Sequence, residues 1–437
     1  MARDGATIDA ARKQELDQAA RAILATNDRG GFTVPTAGLY PFQWNWDSCL
    51  VALGWAAIDE ARAWQEIESL FAAQWPDGMV PHIVFHSADA GYFPGPEVWG
   101  TGRAPESSGI TQPPVAASCV ARLWRGATDR HAARPRTVAL LHRLADWHAW
   151  WRRARDPHGR DLVAILHPWE SGMDNSPAWD AALARVAVDP DLPAYQRRDT
   201  GHVDAAQRPT TAEYDRYLTL VRLFRANGWD SAVLHDLSPF RVCDVATNAI
   251  LLAAEHDLAA LAGDLGEPGR RAEAEARAAD LSSGLESLWN AEAGLYRAHD
   301  RIAGARVSAD TSAGFFPLLD PSLPEPRRAA LVAGLERWLD AAPIGLATVH
   351  PDDPSFDRRR YWRGPTWAIV NFLLSRGLET AGRPETAERL RAATARAIAG
   401  AGFFEYFDPL DGTGLGGRDF SWTAAMWLAW VSPGEEG

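Results

Sequence analysis

Apolar residues recur at helical spacing along most of the chain. Ala19, Ala20, Ile23 and Leu24 share one face of a helix predicted over 9–27. Leu140, Leu141, Leu144 and Trp147 do the same over 135–155, and Tyr214, Tyr217, Leu218 and Val221 over 211–227. The same period predicts helices over 115–125, 243–261, 270–288, 326–339, 366–376, 384–399 and 421–430, and two over 47–71 that meet near Asp59. The segments 243–261 and 270–288 read as an antiparallel pair turning through Gly263, Gly266, Pro268 and Gly269. Strand-like alternation is weak and short.

The loops between these helices fall into two kinds. One kind is short. The other is long and carries Trp, Tyr, Asp, Glu and Gly: 31–47, 74–112, 166–180, 350–367 and 403–422. Long loops in a compact domain usually have work to do. No linker interrupts the alternation. The pattern predicts an all-α fold spanning 1–437 as a single catalytic domain. Helix pairs would close into a ring with the functional loops on one face, and lid-like insertions would fall near 75–114 and 187–210.

Composition narrows the chemistry. A formal net charge of -13 across 437 residues, with no basic cluster interleaved with aromatics, argues against nucleic-acid binding. No uninterrupted apolar run reaches about 18 residues, so no membrane span is expected. Cys49, Cys119 and Cys243 lie far apart in apolar stretches, and the polar start of the chain lacks an apolar targeting core. A cytoplasmic protein with reduced thiols is expected. A homo-oligomer is compatible with all of this. The 20 Trp residues are far above usual.

The richest stretch runs from His167 to Asp180, with Trp169, Glu170, Asp174 and Trp179 among two prolines and a glycine. An indole face covers the C–H face of a sugar ring while carboxylates accept its hydroxyl protons. A carboxyl crowded by Trp has reason for a raised pKa, which a general acid needs at neutral pH. Asp174 is the candidate; the alternative is that it only caps a helix starting near Ser176. Glu170 and Asp180 are nearby substitutes. Glu405, between Phe404 and Tyr406, is either paired to an Arg or held to deprotonate a water. Tyr40, Trp44, Trp46 and Asp47 form an aromatic platform beside a hydroxyl acceptor, and Tyr361, Trp362, Gly364 and Trp367 frame a turn into a helix. The 408–412 loop faintly resembles a calcium loop but lacks its spacing and closing Glu, and no paired-histidine metal motif occurs. No metal or other cofactor is expected.

Taken together, Trp-Asp-Ser at 46–48, Trp-Glu-Ser-Gly-Met-Asp-Asn-Ser at 169–176, Tyr-Trp-Arg-Gly-Pro-Thr-Trp at 361–367, Glu-Tyr-Phe-Asp-Pro at 405–409 and Phe-Ser-Trp-Thr-Ala-Ala at 420–425 resemble glycoside hydrolase family 63. The trehalases share part of this set. The short length resembles the family's bacterial glucosylglycerate and mannosylglycerate hydrolases. The resemblance implies an (α/α)6 barrel, an inverting α-glycosidase and no catalytic metal. It places the general acid on Asp174 and the general base on Glu405. It implies a glucose subsite at Trp46, Asp47, Trp362 and Trp367, and a glycerate subsite at Tyr40, Gln112, Arg208, Tyr214 and Tyr361. The implied partner is a small sugar, with glucosylglycerate first and mannosylglycerate second. A trehalase-like α-glucosidase and a non-catalytic sugar-binding toroid remain the competing readings. Terpene cyclase motifs are absent from the chain.

Overall fold

A computed structural model of the chain describes residues 8–89 and 91–432. Its helices alternate between an outer and an inner layer. The outer layer comprises Ala10–Asn27, Glu60–Ala72, Arg130–Arg155, Pro268–Glu286, Glu325–Ala341 and Pro384–Ala401. The inner layer comprises Asn45–Ala56, Ala116–Gly126, Val245–Leu265, the 3-10 helix Ser312–Leu319, Ala368–Thr380, and Ser421–Met426 continuing as a π-turn to Val431. Each inner helix packs on the next, and the last returns to Asn45–Ala56, closing the ring. This is the expected (α/α)6 barrel.

Burial separates the layers. Every residue of Asn45–Ala56 but the last is buried, and Ala368–Thr380 is nearly as enclosed. A helix apolar all round needs partners on every side, and only the inside of the ring offers them. Val245–Leu265 is long and apolar enough to cross a membrane, yet it is one of these inner helices and mostly buried. The outer helices bury one face and keep the other polar. Glu60–Ala72, for example, buries Ala63, Trp64, Ile67, Leu70 and Phe71.

Three local features differ from expectation. Helix Arg130–Arg155 begins five residues before Pro135, because the Asp129 side chain accepts from the N–H groups of His131 and Ala132 and caps the earlier turn. The inner element Ser312–Leu319 lies in no predicted helix; buried on all sides and holding Pro317, it shows no amphipathic period. Near Ser176 the chain forms a 3-10 turn, Pro177–Trp179, before the short helix Asp180–Ala184. The predicted break near Asp59 is present, with Asp59 capping Glu60–Ala72 through the N–H of Arg62.

The segments leading into Asn45–Ala56, Ala116–Gly126, Ala368–Thr380 and Ser421–Met426 send residues into one cavity. Short antiparallel ladders stiffen that mouth. Gln43–Trp44, Ile83–Phe85 and Glu106–Ser107 form one. Phe404–Phe407 and Gly414–Arg418 form another, which carries Glu405. Over the mouth, segments 75–114 and 187–210 meet. The guanidinium of Arg198 is salt-bridged to Asp89 and donates to the carbonyl oxygens of Gly91 and Gly38, while Phe93 stacks on Tyr195 at 5.0 Å.

Candidate active site

The cavity collects side chains from loops far apart in sequence. Tyr40, Trp44, Trp46, Asp47, Gln112, Trp169, Asp174, Arg208, Tyr214, Tyr361 and Glu405 all line it. Glu405 stands on the first strand of its hairpin, 1% exposed. Its Oε1 accepts from the Tyr40 hydroxyl at 3.2 Å. Its Oε2 accepts from Arg208 Nη2 and from the Gly417 N–H, each at 2.9 Å. Arg208 is held in turn: Nη1 donates to Tyr40 Oη at 3.0 Å, and its guanidinium lies 4.6 Å from the centroid of the Tyr361 ring.

Asp174 meets different surroundings. Among the described residues no side chain donates to its carboxylate, and the Tyr217 hydroxyl donates to its backbone carbonyl oxygen, at 2.9 Å. Burial pushes its carboxyl well above the usual range; Arg208 opposes the shift, while Glu405 and Asp47 add to it. The loop that presents it is shaped by His167, whose Nδ1 accepts from the Trp169 N–H at 3.0 Å while Nε2 donates to the Tyr217 carbonyl oxygen at 3.1 Å. Burial pushes His167 down to about 3, so the ring is neutral and this tautomer is the one its partners require. Gly172, at φ 68°, ends the turn; a Cβ there would meet the Trp46 indole at 2.7 Å. A third carboxyl, Asp47, begins an inner helix beside Trp46. Burial, with Glu405 nearby, raises it to about 8.

The site therefore holds a carboxyl whose pKa burial raises and an arginine-paired one in a single aromatic-walled cavity. Two carboxyls set apart by their environments are the equipment of acid–base glycoside cleavage. The model of the mannosylglycerate hydrolase MGH1-like glycoside hydrolase domain matches residues 40–423. The chain belongs to this glycoside hydrolase family. Mannosylglycerate hydrolase MGH2 of Selaginella moellendorffii is 51% identical over 97% of this chain and 86% of its own length. The glucosylglycerate hydrolase of Mycolicibacterium hassiacum is 38% identical over 94% of this chain and 97% of its own. The crystal structure of the family 63 mannosylglycerate hydrolase from Thermus thermophilus, in complex with Tris and D-glycerate, superposes with a TM-score of 0.92. It is 48% identical and covers 95% of this chain and 100% of that one.

Four of the candidate binding residues of this family 63 hydrolase lie outside the cavity wall. Glu170 is fully buried in a fork with Arg155, whose Nη2 stands 2.5 Å away, and its Oε2 also accepts the Leu166 N–H at 2.7 Å. It has no oxygen left for a sugar and instead fixes the Asp174 loop. Trp362 and Trp367 stack face to face at 3.8 Å, one layer behind Trp46 and Tyr361. Gly364 packs under the carbonyl of Asp357. The substitute acid Asp180 is also outside the wall, in an ion pair with Arg363.

Other cavity residues escaped the sequence reading. His82, Tyr92, Arg197, Asp199 and Trp422 all line the wall. Trp422 belongs to the 420–425 motif and donates to the Glu405 carbonyl oxygen at 3.0 Å, so that motif held the signal. Tyr92 and Asp199 sit in the lid-like segments, with no motif to mark them.

Asp408 and Asp411, of the calcium-like loop, are paired with Arg358 and Arg359. Among the described residues, His158, His235 and Asp236 bring candidate ligand atoms within 4.8 Å of one another, away from the cavity. Arg241 already supplies a cation to the same Asp236 oxygen, at 3.3 Å.

Proposed function

We propose that the protein hydrolyses 2-O-α-hexosyl glycerates with inversion at the anomeric carbon, acting on both mannosylglycerate and glucosylglycerate. The observation that carries this reading is the contrast between Asp174 and Glu405 in one cavity. Asp174, kept protonated by burial, donates its proton to the glycosidic oxygen. Glu405, oriented by Tyr40, Arg208 and the Gly417 N–H, takes a proton from a water attacking the opposite face of the ring. Such a pair stands roughly 6.5–9.5 Å apart to admit the water.

Substrate choice rests on similarity and on charge. The mannosylglycerate hydrolase relative is 51% identical and the glucosylglycerate hydrolase relative 38%, which puts mannosylglycerate ahead of the glucosylglycerate expected first from sequence. A glycerate leaving group brings its own carboxylate, and a buried guanidinium suits it. Arg208 has five N–H donors; contacts with Glu405 and Tyr40 leave its Nε without a partner. Trp46 and Trp44 supply indole surface for the hexose. The test is to incubate the protein with mannosylglycerate, glucosylglycerate and trehalose and assay free hexose. Release from the first two and not from trehalose supports the reading; release from trehalose alone defeats it.

A further inference from the structure

Away from the active site, a second cleft of about 420 Å3 opens against the small sheet built from Val242–Cys243, His299–Asp300 and Ala305–Arg306. Its register pairs Cys243 with His299 and His299 with Arg306, so these three side chains stand in one cross-strand row on one face. Arg301, at the turn of the hairpin, and Arg160, from the segment after Arg130–Arg155, complete the lining. No residue of this cleft lines the active-site cavity.

Its charge runs against the rest of the molecule. In a chain of net charge -13, the lining holds three arginines and a histidine and no carboxylate. Arg160 and Arg306 form no ion pair among the described residues; Arg306 only donates to the Ser287 carbonyl oxygen, at 2.7 Å. Arg301 is anchored inward. Its Nε donates to Cys243 Sγ at 2.8 Å and its Nη2 to the Leu162 carbonyl oxygen at 2.6 Å, and its side chain is 5% exposed. Its one carboxylate contact, Asp156 at 3.4 Å, is shared with Arg152. Its Nη1 is buried without a partner. Asp300, on the same hairpin, is paired with Arg185 instead. Arginines lining one cleft, two of them without a carboxylate partner, attract a multiply charged oxyanion, which can take forked hydrogen bonds from a guanidinium.

We propose that this cleft is an oxyanion site that takes a phosphate group, with Arg160 and Arg306 gripping it from the rim and Arg301 supplying fixed charge at the base. Free phosphate and a phosphate monoester share this chemistry, and titration distinguishes them. Inorganic phosphate and glycerol 3-phosphate are each titrated into the full-length protein by calorimetry, with sodium chloride holding ionic strength constant. The same titrations are run on the double variant Arg160→Gln/Arg306→Gln and on Arg208→Ala.

The expected result is saturable binding of at least one ligand. That binding should weaken ten-fold or more in the double variant and stay unchanged in Arg208→Ala. Binding of both ligands marks a site for the phosphate group as such; binding of glycerol 3-phosphate alone marks the ester as the occupant. Both replaced arginines are exposed, so the double variant should keep its hydrolytic rate and melting temperature in the absence of phosphate. Absence of saturable binding overturns the proposal. So does a signal lost in Arg208→Ala and kept in the double variant, which would place the anion in the active site.

Discussion

Arg208 donates from Nη2 to Oε2 of Glu405 at 2.9 Å, and the two side chains are 2% and 1% exposed. The residue offered as the anchor of the glycerate carboxylate is thus also the partner of the proposed base. Those two roles separate by substrate. Arg208→Ala should lower kcat on a neutral glucosylglycerol, because Glu405 loses its orienting partner. On glucosylglycerate and mannosylglycerate it should cost a further 2–5 kcal/mol or so in kcat/KM, the penalty for an unpartnered buried carboxylate. Arg208→Lys should recover only part of either loss, since a point charge cannot reproduce the fork. Steady-state kinetics on the three substrates checks this; equal losses on charged and neutral substrates would restrict Arg208 to holding Glu405.

Asp47 ties the site to stability. Its carboxyl is raised to about 8 in the fold, from about 4 in an unfolded chain. Below both values the two states are protonated alike. Between them the unfolded chain has released its proton and the fold has not, so stability falls with rising pH, by up to about 1.4 kcal/mol per unit. Above about 8 the slope from this group ends. Asp47→Asn removes the term. The variant should therefore gain stability relative to wild type as pH rises from 5 to 8, by about 2–5 kcal/mol, while losing activity. Chemical denaturation at several pH values measures it; parallel curves for the two proteins would contradict it.

Glu405 also depends on a residue with no side chain. Gly416 has φ 72°, and a Cβ there would stand 2.3 Å from Glu405 Oε2. Gly416→Ala adds left-handed backbone strain of about 1–2 kcal/mol and displaces the carboxylate. Its kcat should fall by ten-fold or more with KM little changed, and melting should drop by only a few degrees. A variant with wild-type kcat would show that the Glu405 position is not critical.

Much of this was legible in the sequence, and the remainder fails for identifiable reasons. Asp174 and Arg208 on loops, Trp46 in the first turn of an inner helix and Glu405 on a short strand come together in one cavity. The amphipathic outer helices announced themselves by period; Ser312–Leu319, enclosed on every side, had none to show. Glu170 carries the same Trp-Glu signal as a sugar ligand, yet Arg155, fifteen residues upstream, claims it. Pairing across a fold leaves no local mark. The same holds for Trp362 and Trp367: an aromatic motif does not say which ring faces the cavity and which backs it.

The Arg155–Glu170 pair allows a direct check of that correction. Glu170→Ala strands a buried guanidinium and should cost about 3–5 kcal/mol of folding stability. The protein that remains folded should keep its KM for the hexosyl glycerate, because Glu170 does not reach the cavity. Denaturant unfolding combined with kinetics below the transition separates the two effects. A KM raised ten-fold at unchanged stability would return Glu170 to the binding site.

In the proposed reaction Asp174 acts as acid and Glu405 as base on opposite faces of one sugar ring. Proton NMR of the first turnovers on α-linked mannosylglycerate or glucosylglycerate tests it most directly, before mutarotation mixes the anomers. The β-anomer of the hexose should appear first, and Asp174→Asn and Glu405→Gln should each abolish this signal while still binding substrate. The α-anomer appearing first would mean retention through a covalent intermediate, and the roles assigned to both carboxylates would be wrong.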